Sequence, residues 1–526
     1  MRMFSDARRA IALTVAFALT AAALPAQEKV DVATFERIKA EEMTKSQVMD
    51  MMSWLTDVHG PRLTGSPITR RAGDWAESTM KGWGLANVRS EKWGPFGRGW
   101  TNERMTFHAT APQAFPMQAA PRAWSASTKG KVSGGAMIVK LDSMADLYKM
   151  AGTLKGKFLL VDSLVDVRPH LTAEFSRFTD EQLATMAAAA PPAPQAGGRG
   201  GRAGGAGAVP GVRMNFATVW RDTAAMRFLE KEGVGAVLLR ARGDGGTIFT
   251  DNGNPHNNKK EAQVPVVHVG AESYGRVYRT LQKNVPVTLE LEMTNKFYDD
   301  DPSSFNVIAE IPGTDPALKD EIVMIGAHFD SWHAGTGATD NAAGSAVMME
   351  AMRLIQSLGL KPRRTIRIGL WTGEEQGLLG SRAYVRQHLQ DSTGAKPELA
   401  KLSAYFNVDN GTGKIRGVYQ QGNANVGSIF DAWMLPFKND GMKTTTISNT
   451  TGTDHQAFDA VGIPGFQFIQ DPVEYGTRTH HSNADVYERI QADDMKWNSA
   501  VVAAFAWQAA QRDAMLPKKG PPKVQP

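Results

Sequence analysis

Histidine and carboxylate residues follow several apolar runs in the second half of this sequence. Three runs end in such residues: IVMIGA leads into His328 and Asp330, TIRIGLWTG into Glu374 and Glu375, and AYFNV into Asp409. Asp340 precedes a predicted helix, and the pair His480-His481 follows the run GFQFIQ after a loop. Imidazole and carboxylate groups bind divalent metal ions and transfer protons, so their recurrence points to metal-dependent chemistry.

The predicted strands would bring these side chains to one place. In an open α/β sheet, ligands bind beyond the carboxyl ends of the strands. Several carboxylates buried at that edge would raise one another's pKa values or disrupt the fold unless a cation were present. One or two divalent metal ions would remove this repulsion. The sequence contains no cysteine, so the ligands must be nitrogen and oxygen atoms, which suit zinc and also manganese or cobalt.

Each motif alone also has a structural explanation. A His-x-Asp or Glu-Glu pair is common in solvated turns, and Asp409-Asn410-Gly411 is an ordinary turn sequence. The occurrence of all these motifs at successive strand ends is what favours a metal site. The sequence gives three other histidines no such support, and we expect them to be structural: His59, His333 and His388.

The elements that position these residues can be predicted from periodicity. Residues 31–84 have a helical pattern, with a second helix starting near Ser66-Pro67. From Ser304 onward, apolar runs alternate with helical segments near 342–358 and 377–387, and a final helix spans about 492–510. Such alternation predicts an α/β fold with a mostly parallel mixed sheet that is covered by helices on both faces.

A region of short, β-type apolar runs separates the two predicted parts of this α/β domain. Short β-type runs such as KFLLVD and VPVVHV fill residues 124–290 and predict an inserted β-rich domain. The α/β domain would then comprise 27–123 and 291–515. Within the insertion, residues 187–211 contain nine Ala, eight Gly and four Pro. This composition cannot bury a core and predicts a flexible Gly/Ala/Pro loop.

The ends of the chain carry predictions about location. Arg2, Arg8 and Arg9 precede an apolar run up to Leu24, which is typical of a secretory signal peptide over residues 1–26. We therefore expect an exported protein, periplasmic or extracellular, without stable membrane insertion after signal cleavage. The net charge is only +5, and the body of the chain has no long basic run, so no nucleic-acid partner is expected. Residues 516–526 form a basic, Pro-rich tail, which is typical of a solvated chain end.

Six motifs together carry a resemblance to a known family. They are GAHFDS, GATDNAAG, LWTGEEQGLLGS, FNVDNGTG, GTDHQAF and HHSNADVY. In this order they resemble the motif set of the co-catalytic di-zinc exopeptidases of the aminopeptidase and glutamate carboxypeptidase type, and most nearly its carboxypeptidase Q subgroup. The resemblance extends upstream to GPRLTGSPITRRAGDW. The β-rich region resembles the protease-associated domain that this group carries as an insertion, although the Gly/Ala/Pro loop departs from that pattern.

The resemblance implies a role for each candidate residue. Two zinc ions per chain are implied, with cobalt or manganese as substitutes. One ion would be held by His328, Asp340 and Asp409, and the other by Asp340, Glu375 and His481. Glu374 matches the general base, and Asp330 matches the carboxylate that orients His328. His481 is preferred to His480 because the family's ligand directly precedes Ser or Thr. Three residues match the substrate side: Asp454, His455 and His480.

The implied activity is that of an exported exopeptidase acting on dipeptides or short peptides. Water activated between two metal ions would be the nucleophile, with Glu374 as its base. Polarity stays open, because aminopeptidases share the motifs whereas the subgroup favours dipeptidase or carboxypeptidase action. The alternatives are a non-catalytic receptor-like ectodomain, which the complete ligand set opposes, and a glutaminyl cyclase-like acyltransferase, which the insertion and Glu374-Glu375 oppose. The expected partners are a peptide substrate and a second copy in a homodimer.

Overall fold

A computed structural model of the chain describes residues 28–140, 143–192, 223–250, 252–257 and 264–520. The predicted signal peptide lies outside the described residues, as do most of the predicted Gly/Ala/Pro loop and the last six residues of the tail. Among the residues described, no helix is both long and apolar enough to cross a membrane.

Twelve α-helices are described. They are α1 (Val32–Lys45), α2 (Val48–Ser53), α3 (Pro67–Gly82), α4 (Met144–Tyr148), α5 (Asp180–Ala187), α6 (Thr223–Glu232), α7 (Ala271–Leu281), α8 (Ala343–Ser357), α9 (Leu379–Tyr384), α10 (Gly427–Met434), α11 (His455–Asp459) and α12 (Ala492–Gln511). Single π-helical turns cover Trp54–Val58, Ala338–Ala342, Val385–Leu389 and Tyr475–Thr479. Short 3₁₀ segments cover Pro397–Ala400, Ala424–Val426, Leu435–Asp440 and Tyr487–Arg489.

The described strands form two large sheets and one small hairpin. They are β1 (Ala86–Trp93), β2 (Gly99–Ala111), β3 (Phe115–Pro116), β4 (Ala119–Pro121), β5 (Val132–Ile138), β6 (Phe158–Leu160), β7 (Ala236–Arg240), β8 (Val266–Val269), β9 (Thr288–Tyr298), β10 (Ser304–Ile311), β11 (Ile322–His328), β12 (Thr365–Trp371), β13 (Gln390–Asp391), β14 (Gly394–Ala395), β15 (Leu402–Asn407), β16 (Ile415–Tyr419), β17 (Thr444–Thr446) and β18 (Gly465–Gln470).

The main sheet has the order β1-β10-β12-β11-β15-β18-β16-β17. Strands β12, β11, β15 and β18 at its centre are parallel, whereas β1, β10 and β16 pair antiparallel to their inner neighbours. Side chains alternate across β11: Val323, Ile325 and Ala327 pack under α8 and α12, while Ile322 and Met324 face the layer that contains α9 and α11. The prediction of a mixed sheet with a parallel centre and helices on both faces is confirmed.

The second sheet has the order β3-β2-β9-β5-β6-β7-β8-β4 and buries two apolar cores of its own. Along the chain, its first strand is β2, which begins at Gly99, and its last strand is β9, which ends at Tyr298. The β-rich unit therefore includes residues on both sides of the predicted limits at 124 and 290. The reason is that β2 runs alongside β9 for almost its whole length, so the chain enters and leaves this unit through one antiparallel ribbon. The residues of β2 are largely polar and partly exposed, so the sequence shows only a weak strand pattern there.

A buried pair of acids lies between α1 and α8. Arg353 pairs with Glu350 through two hydrogen bonds of 2.7 Å, but its guanidinium is 3.9 Å from Glu42 Oε2. One cation thus neutralises one of two buried carboxylates. Burial, reinforced by the carboxylate of Glu350, raises the pKa of Glu42 well above its ordinary value, although Ser46 and Arg353 oppose this shift. Glu42 therefore keeps its proton in the folded protein at pH values where the unfolded chain has released it.

This raised pKa predicts a loss of stability with rising pH. Above the ordinary carboxyl pKa of 4.5, each further pH unit should cost up to about 1.4 kcal/mol until the folded-state pKa is passed. Glu42→Gln should flatten this slope in urea unfolding between mildly acidic and neutral pH. Glu36→Gln, on the exposed face of the same helix, is the control and should leave the slope in place. An unchanged slope in Glu42→Gln would mean that Glu42 is ionised in the folded protein.

Candidate metal centre

The parallel strands deliver the predicted ligands to one edge of the main sheet. His328 is the last residue of β11, and Asp409 follows β15 by two residues. Glu375 follows β12, and His481 lies in the loop after β18. Asp340 lies in the π-turn Ala338–Ala342, whose extended φ of −133° and ψ of 85° at this residue interrupt the helix just before α8. The side chains of these residues therefore converge although they are far apart in sequence.

His328 presents one ring nitrogen to two carboxylates. Its Nδ1–H donates to the main-chain carbonyl of Asp330 over 3.0 Å, which leaves Nε2 facing the cluster. Nε2 lies 3.1 Å from Asp409 Oδ1 and 3.2 Å from Asp340 Oδ1. In a neutral imidazole with its proton on Nδ1, the Nε2 lone pair would face two carboxylate oxygens. That arrangement is repulsive unless a proton or a metal ion lies between the three atoms.

His481 makes a second arrangement of the same kind. Its Nε2 lies 2.9 Å from Glu375 Oε2 and 3.2 Å from Asp340 Oδ2. Asp340 thus turns one carboxylate oxygen towards each imidazole. His480 stacks on His481 at 3.8 Å between ring centroids, but its Nε2 is 3.8 Å from Asp340 Oδ2 and its side chain is one-third exposed. His481 is therefore the nearer of the two histidines to the shared carboxylate.

The donor set fits metal ions, and two of its oxygen atoms have no hydrogen-bond partner. Asp340 Oδ2 and Glu375 Oε1 are buried atoms without a hydrogen-bond partner. Ligand atoms lie within 4.8 Å of one another in three groups: His328, Asp340 and Glu375; His328, Glu374 and Asp409; and Asp340, His480 and His481. Imidazole nitrogens and carboxylate oxygens at this spacing are a donor set that zinc accepts.

Burial raises the pKa values of several acids in the cluster. It raises the pKa of Glu375 to about 7, although the positive charge of His481 opposes the shift. It also raises the pKa of Asp454 and of Asp485 to about 7, and the carboxylate of Asp340 adds to the effect on Asp485. Without metal, part of the cluster would therefore hold protons at neutral pH. A divalent cation would displace those protons and let the carboxylates bind it as anions.

Asp330 contacts both His328 and the two glutamates. Its carboxylate oxygen Oδ1 is 3.7 Å from His328 Nδ1, and its main-chain carbonyl is 3.0 Å from the same nitrogen. The carboxylate accepts the main-chain N–H groups of Glu374 over 3.2 Å and Glu375 over 3.4 Å, and the hydroxyl of Thr64 over 2.7 Å. Asp330 thus fixes the turn that presents both glutamates.

The two adjacent glutamates have different surroundings. Glu375 is buried, with its carboxylate against His481, whereas Glu374 is partly exposed and lies with His328 and Asp409. Burial of its carboxylate, together with the charge of Asp409, raises the pKa of Glu374 well above its ordinary value, although His328 opposes this. Glu374 is thus the glutamate that reaches towards the open side of the cluster.

Of the residues expected on the substrate side, Asp454 lies beside the ligand cluster and His455 does not. Asp454 is buried, and its carboxylate lies close enough to Asp409 and His328 for their charges to affect its pKa. His455 is only 1% exposed, and its ring nitrogens contact Gln421 Nε2 at 2.6 Å and Thr453 Oγ1 at 2.5 Å. These contacts make His455 part of the supporting structure in this conformation, and they leave it out of the ligand cluster.

The three histidines expected to be structural lie apart from the cluster. His333 Nε2 donates to the carbonyl of Pro121 over 2.8 Å, and burial lowers its pKa to about 4. His388 Nε2 is 2.8 Å from Glu91 Oε2. His59 packs against the rings of Trp54 and Trp75.

Arg62 is a supporting residue that the sequence pattern does not indicate. This buried guanidinium donates over 2.7–3.0 Å to the main-chain carbonyls of Leu55, Phe329, Thr336 and Gly337. Three of these carbonyls lie between His328 and Asp340, so one cation holds the segment that connects two ligands. Gly337 allows this packing, because a Cβ there would lie 2.3 Å from Ser331 Cβ and 3.0 Å from Arg62 Nη2. The motif GPRLTGS contains Arg62, but nothing in its spacing indicated what it contacts.

Asp485 is a second supporting residue of this kind and links two ligand loops. Its carboxylate accepts the N–H of Thr339 over 2.6 Å, the hydroxyl of Thr339 over 2.8 Å and the N–H of Asp340 over 3.3 Å. Since Asp485 lies four residues after His481, this bond set connects the loop of one ligand to the turn of another. The motif HHSNADVY contains it, but a lone Asp in a loop gave no signal of this role.

The chain thus combines a mixed α/β domain with a candidate metal-ligand cluster beyond its central parallel strands. Residues 306–506 match the sequence profile of peptidase family M28. Mouse carboxypeptidase Q is 32% identical over 270 residues, which are 50% of this chain and 55% of that protein. The chain thus matches about half the length of this relative.

Two solved structures have the same fold over nearly the whole chain. The peptidase M28 precursor from Shewanella amazonensis superposes with a TM-score of 0.64 at 24% identity, and covers 93% of this chain and 99% of its own. A zinc aminopeptidase from Bacillus subtilis superposes with a TM-score of 0.54 at 20% identity, and covers 89% of this chain and 95% of its own. The predicted resemblance to a zinc exopeptidase family and the predicted main fold are confirmed.

Asp340→Asn should remove most of the bound metal. The shared carboxylate faces both imidazoles, and an amide offers only one oxygen in place of two. Metal content after dialysis against a weak chelator measures this loss. Asp409→Asn is the matched control: it removes a carboxylate beside His328 only, so it should leave metal at the His481 group. Full metal content in Asp340→Asn would contradict the shared-ligand arrangement.

Proposed function

We propose that this chain is a di-zinc exopeptidase that hydrolyses dipeptides or short peptides. The observation that carries the proposal is the shared carboxylate: Asp340 faces His328 with one oxygen and His481 with the other. Asp409 completes the first group and Glu375 the second. Two ligand groups joined through one carboxylate suit a pair of metal ions a few ångströms apart, which is a recurring arrangement in aminopeptidases.

When bound, the two ions would polarise the scissile carbonyl and lower the pKa of a water molecule towards neutrality. Glu374 is the base in this proposal, because it is partly exposed and lies beside the first group. It takes one proton from the attacking water and passes it to the leaving nitrogen as the C–N bond breaks. The products are a free acid and a free amine. Asp330 holds the main chain of Glu374 and thereby fixes the direction of the base.

Glu374→Gln should retain metal and lose turnover. The amide keeps the shape of the side chain but cannot accept and return the proton, so the rate should fall by roughly 10²–10⁴-fold. Hydrolysis of a dipeptide and metal content are measured on the same preparation. Glu375→Gln is the matched isosteric variant and should lower metal content instead. Undiminished turnover in Glu374→Gln would refute its assignment as the base.

Polarity is decided by presenting one dipeptide in free, N-acetylated and C-amidated forms to the zinc-loaded protein, with a chelated control. We expect chelator-sensitive cleavage of the free form that is lost on amidation, as the carboxypeptidase Q resemblance implies. Cleavage of the free form alone means a strict dipeptidase, and cleavage that survives acetylation means recognition of the terminal carboxylate. Failure to cleave any form would refute the exopeptidase proposal.

An aminopeptidase is the second candidate. It is supported by the zinc aminopeptidase from Bacillus subtilis, which has the same fold over most of this chain. This candidate predicts cleavage of the free and amidated forms but not of the acetylated form.

Two further proposals concern the rest of the chain. We propose that the β-rich unit is a protease-associated-type insertion, because it is a separate sheet joined to the peptidase domain through one antiparallel ribbon. We also propose that the protein is exported, on the pattern of residues 1–26 alone.

A further inference from the structure

The β-rich unit contacts the loop that carries His481. We call residues 246–250 of this unit the docking loop, and residues 475–485 of the main domain the histidine loop. Phe249 and Ser482 form an antiparallel β-bridge between them. The N–H of Thr250 donates to the carbonyl of His481 over 2.7 Å. A residue of the second sheet's unit is therefore bonded directly to the main chain of a candidate metal ligand.

Asn483 makes most of the remaining contacts between the two loops. Its Oδ1 accepts the N–H of Ile248 over 2.7 Å, and its Nδ2 donates to the carbonyl of Gly246 over 3.1 Å. Its own N–H donates to the carbonyl of Ile248 over 3.1 Å. Both ends of the side-chain amide are thus used, the oxygen as an acceptor and the nitrogen as a donor. Ile248 is buried beside Ala334, so the docking loop is anchored in an apolar contact as well.

The conformation of His481 needs external support. Its φ is +61°, in the left-handed region that side chains other than glycine rarely adopt. On the main-domain side, the histidine loop is held at Thr479, which bonds to Thr339, and at Asp485. Between these two points, residues 481–483 are hydrogen-bonded to the docking loop. The β-rich unit therefore lies where it can fix the direction of the His481 side chain.

We infer that Asn483 is a positioning residue for the second metal group, and that the β-rich unit acts on this group through it. The inference rests on the proposed function, because it assumes that Asp340, Glu375 and His481 hold an ion. Asn483 contacts no candidate ligand with its side chain. It acts by keeping the docking loop against residues 481–483, which holds the His481 ring beside Glu375 and Asp340. Groups that orient a metal-bound imidazole affect metal affinity although they do not touch the ion.

The test is zinc binding to the full chain, measured by titration of the apoprotein in competition with a chromogenic chelator. Asn483→Ala should weaken one zinc equivalent by about 10–100-fold and leave the other unchanged. His481→Ala defines which equivalent belongs to the second group, and the equivalent weakened in Asn483→Ala should be the same one. A positioning role predicts this selective loss, whereas a general loss of stability would not select one equivalent.

Asn295→Ala is the matched control. Asn295 also donates through its side-chain amide to two main-chain carbonyls, those of Ser125 and Ala126, but within the second unit. It should lower the stability of that unit without changing either zinc affinity. Asn483→Asp keeps the acceptor for Ile248 and loses the donor to Gly246, so it should give a smaller, equally selective loss, and it serves if the alanine variant does not fold.

The outcomes separate this inference from the proposed function. If the wild type binds two zinc ions and Asn483→Ala and Asn483→Asp bind both as tightly, the inference is wrong and the proposed function stands. Equal weakening of both equivalents in Asn483→Ala, or the same weakening in Asn295→Ala, would also overturn it. If the wild type binds fewer than two ions, the di-zinc proposal itself fails. Selective weakening of the equivalent defined by His481→Ala supports the inference.

Discussion

The repulsion among buried carboxylates is the constraint on which the rest of this structure depends. Asp340, Glu375 and Asp409 are each less than a tenth exposed, yet their oxygens converge on two imidazole nitrogens. Water cannot screen charges placed there, and one imidazolium cannot neutralise two carboxylates. A fold that keeps such a cluster must therefore supply a cation, hold protons, or lose stability. The donor geometry suits the first of these, because each nitrogen faces two oxygens rather than one.

The supporting structure can be understood as a response to the same constraint. Arg62 places a buried positive charge behind the cluster. Its hydrogen bonds to main-chain carbonyls hold the segment between His328 and Asp340 in place. Burial lowers the pKa of Arg62 only to about 10, so it stays charged at neutral pH. The carboxylates of Asp330 and Asp485 instead accept hydrogen bonds from main-chain N–H groups. They order the ligand turns without entering the ligand groups.

Much of this arrangement could be predicted from the sequence because it follows from strand ends. The apolar runs TIRIGLW and GFQFIQ are strands β12 and β18 residue for residue, and a parallel centre forces their carboxyl ends to one edge. The supporting contacts could not be predicted, because they join residues far apart in sequence through main-chain atoms. Arg62 binds main-chain carbonyls about 270 positions away. Every residue has such a carbonyl, so the pattern of side chains does not indicate which one is bound. The start of the β-rich unit was missed for a related reason, since β2 is a half-exposed ribbon whose polar residues resemble a loop.

The position of the histidine loop connects metal binding to the association of the two units. This loop is bonded to the main domain through Asp485, and to the β-rich unit through Asn483 and the carbonyl of His481, so a displacement of either unit would move His481. By linkage, an ion that binds only when His481 is in place must also stabilise the contact that keeps it there. The energy of this coupling cannot exceed the difference in the ion's affinity between the docked and undocked forms. An inserted domain that touches no substrate can thus act on the chemistry of the site through one loop.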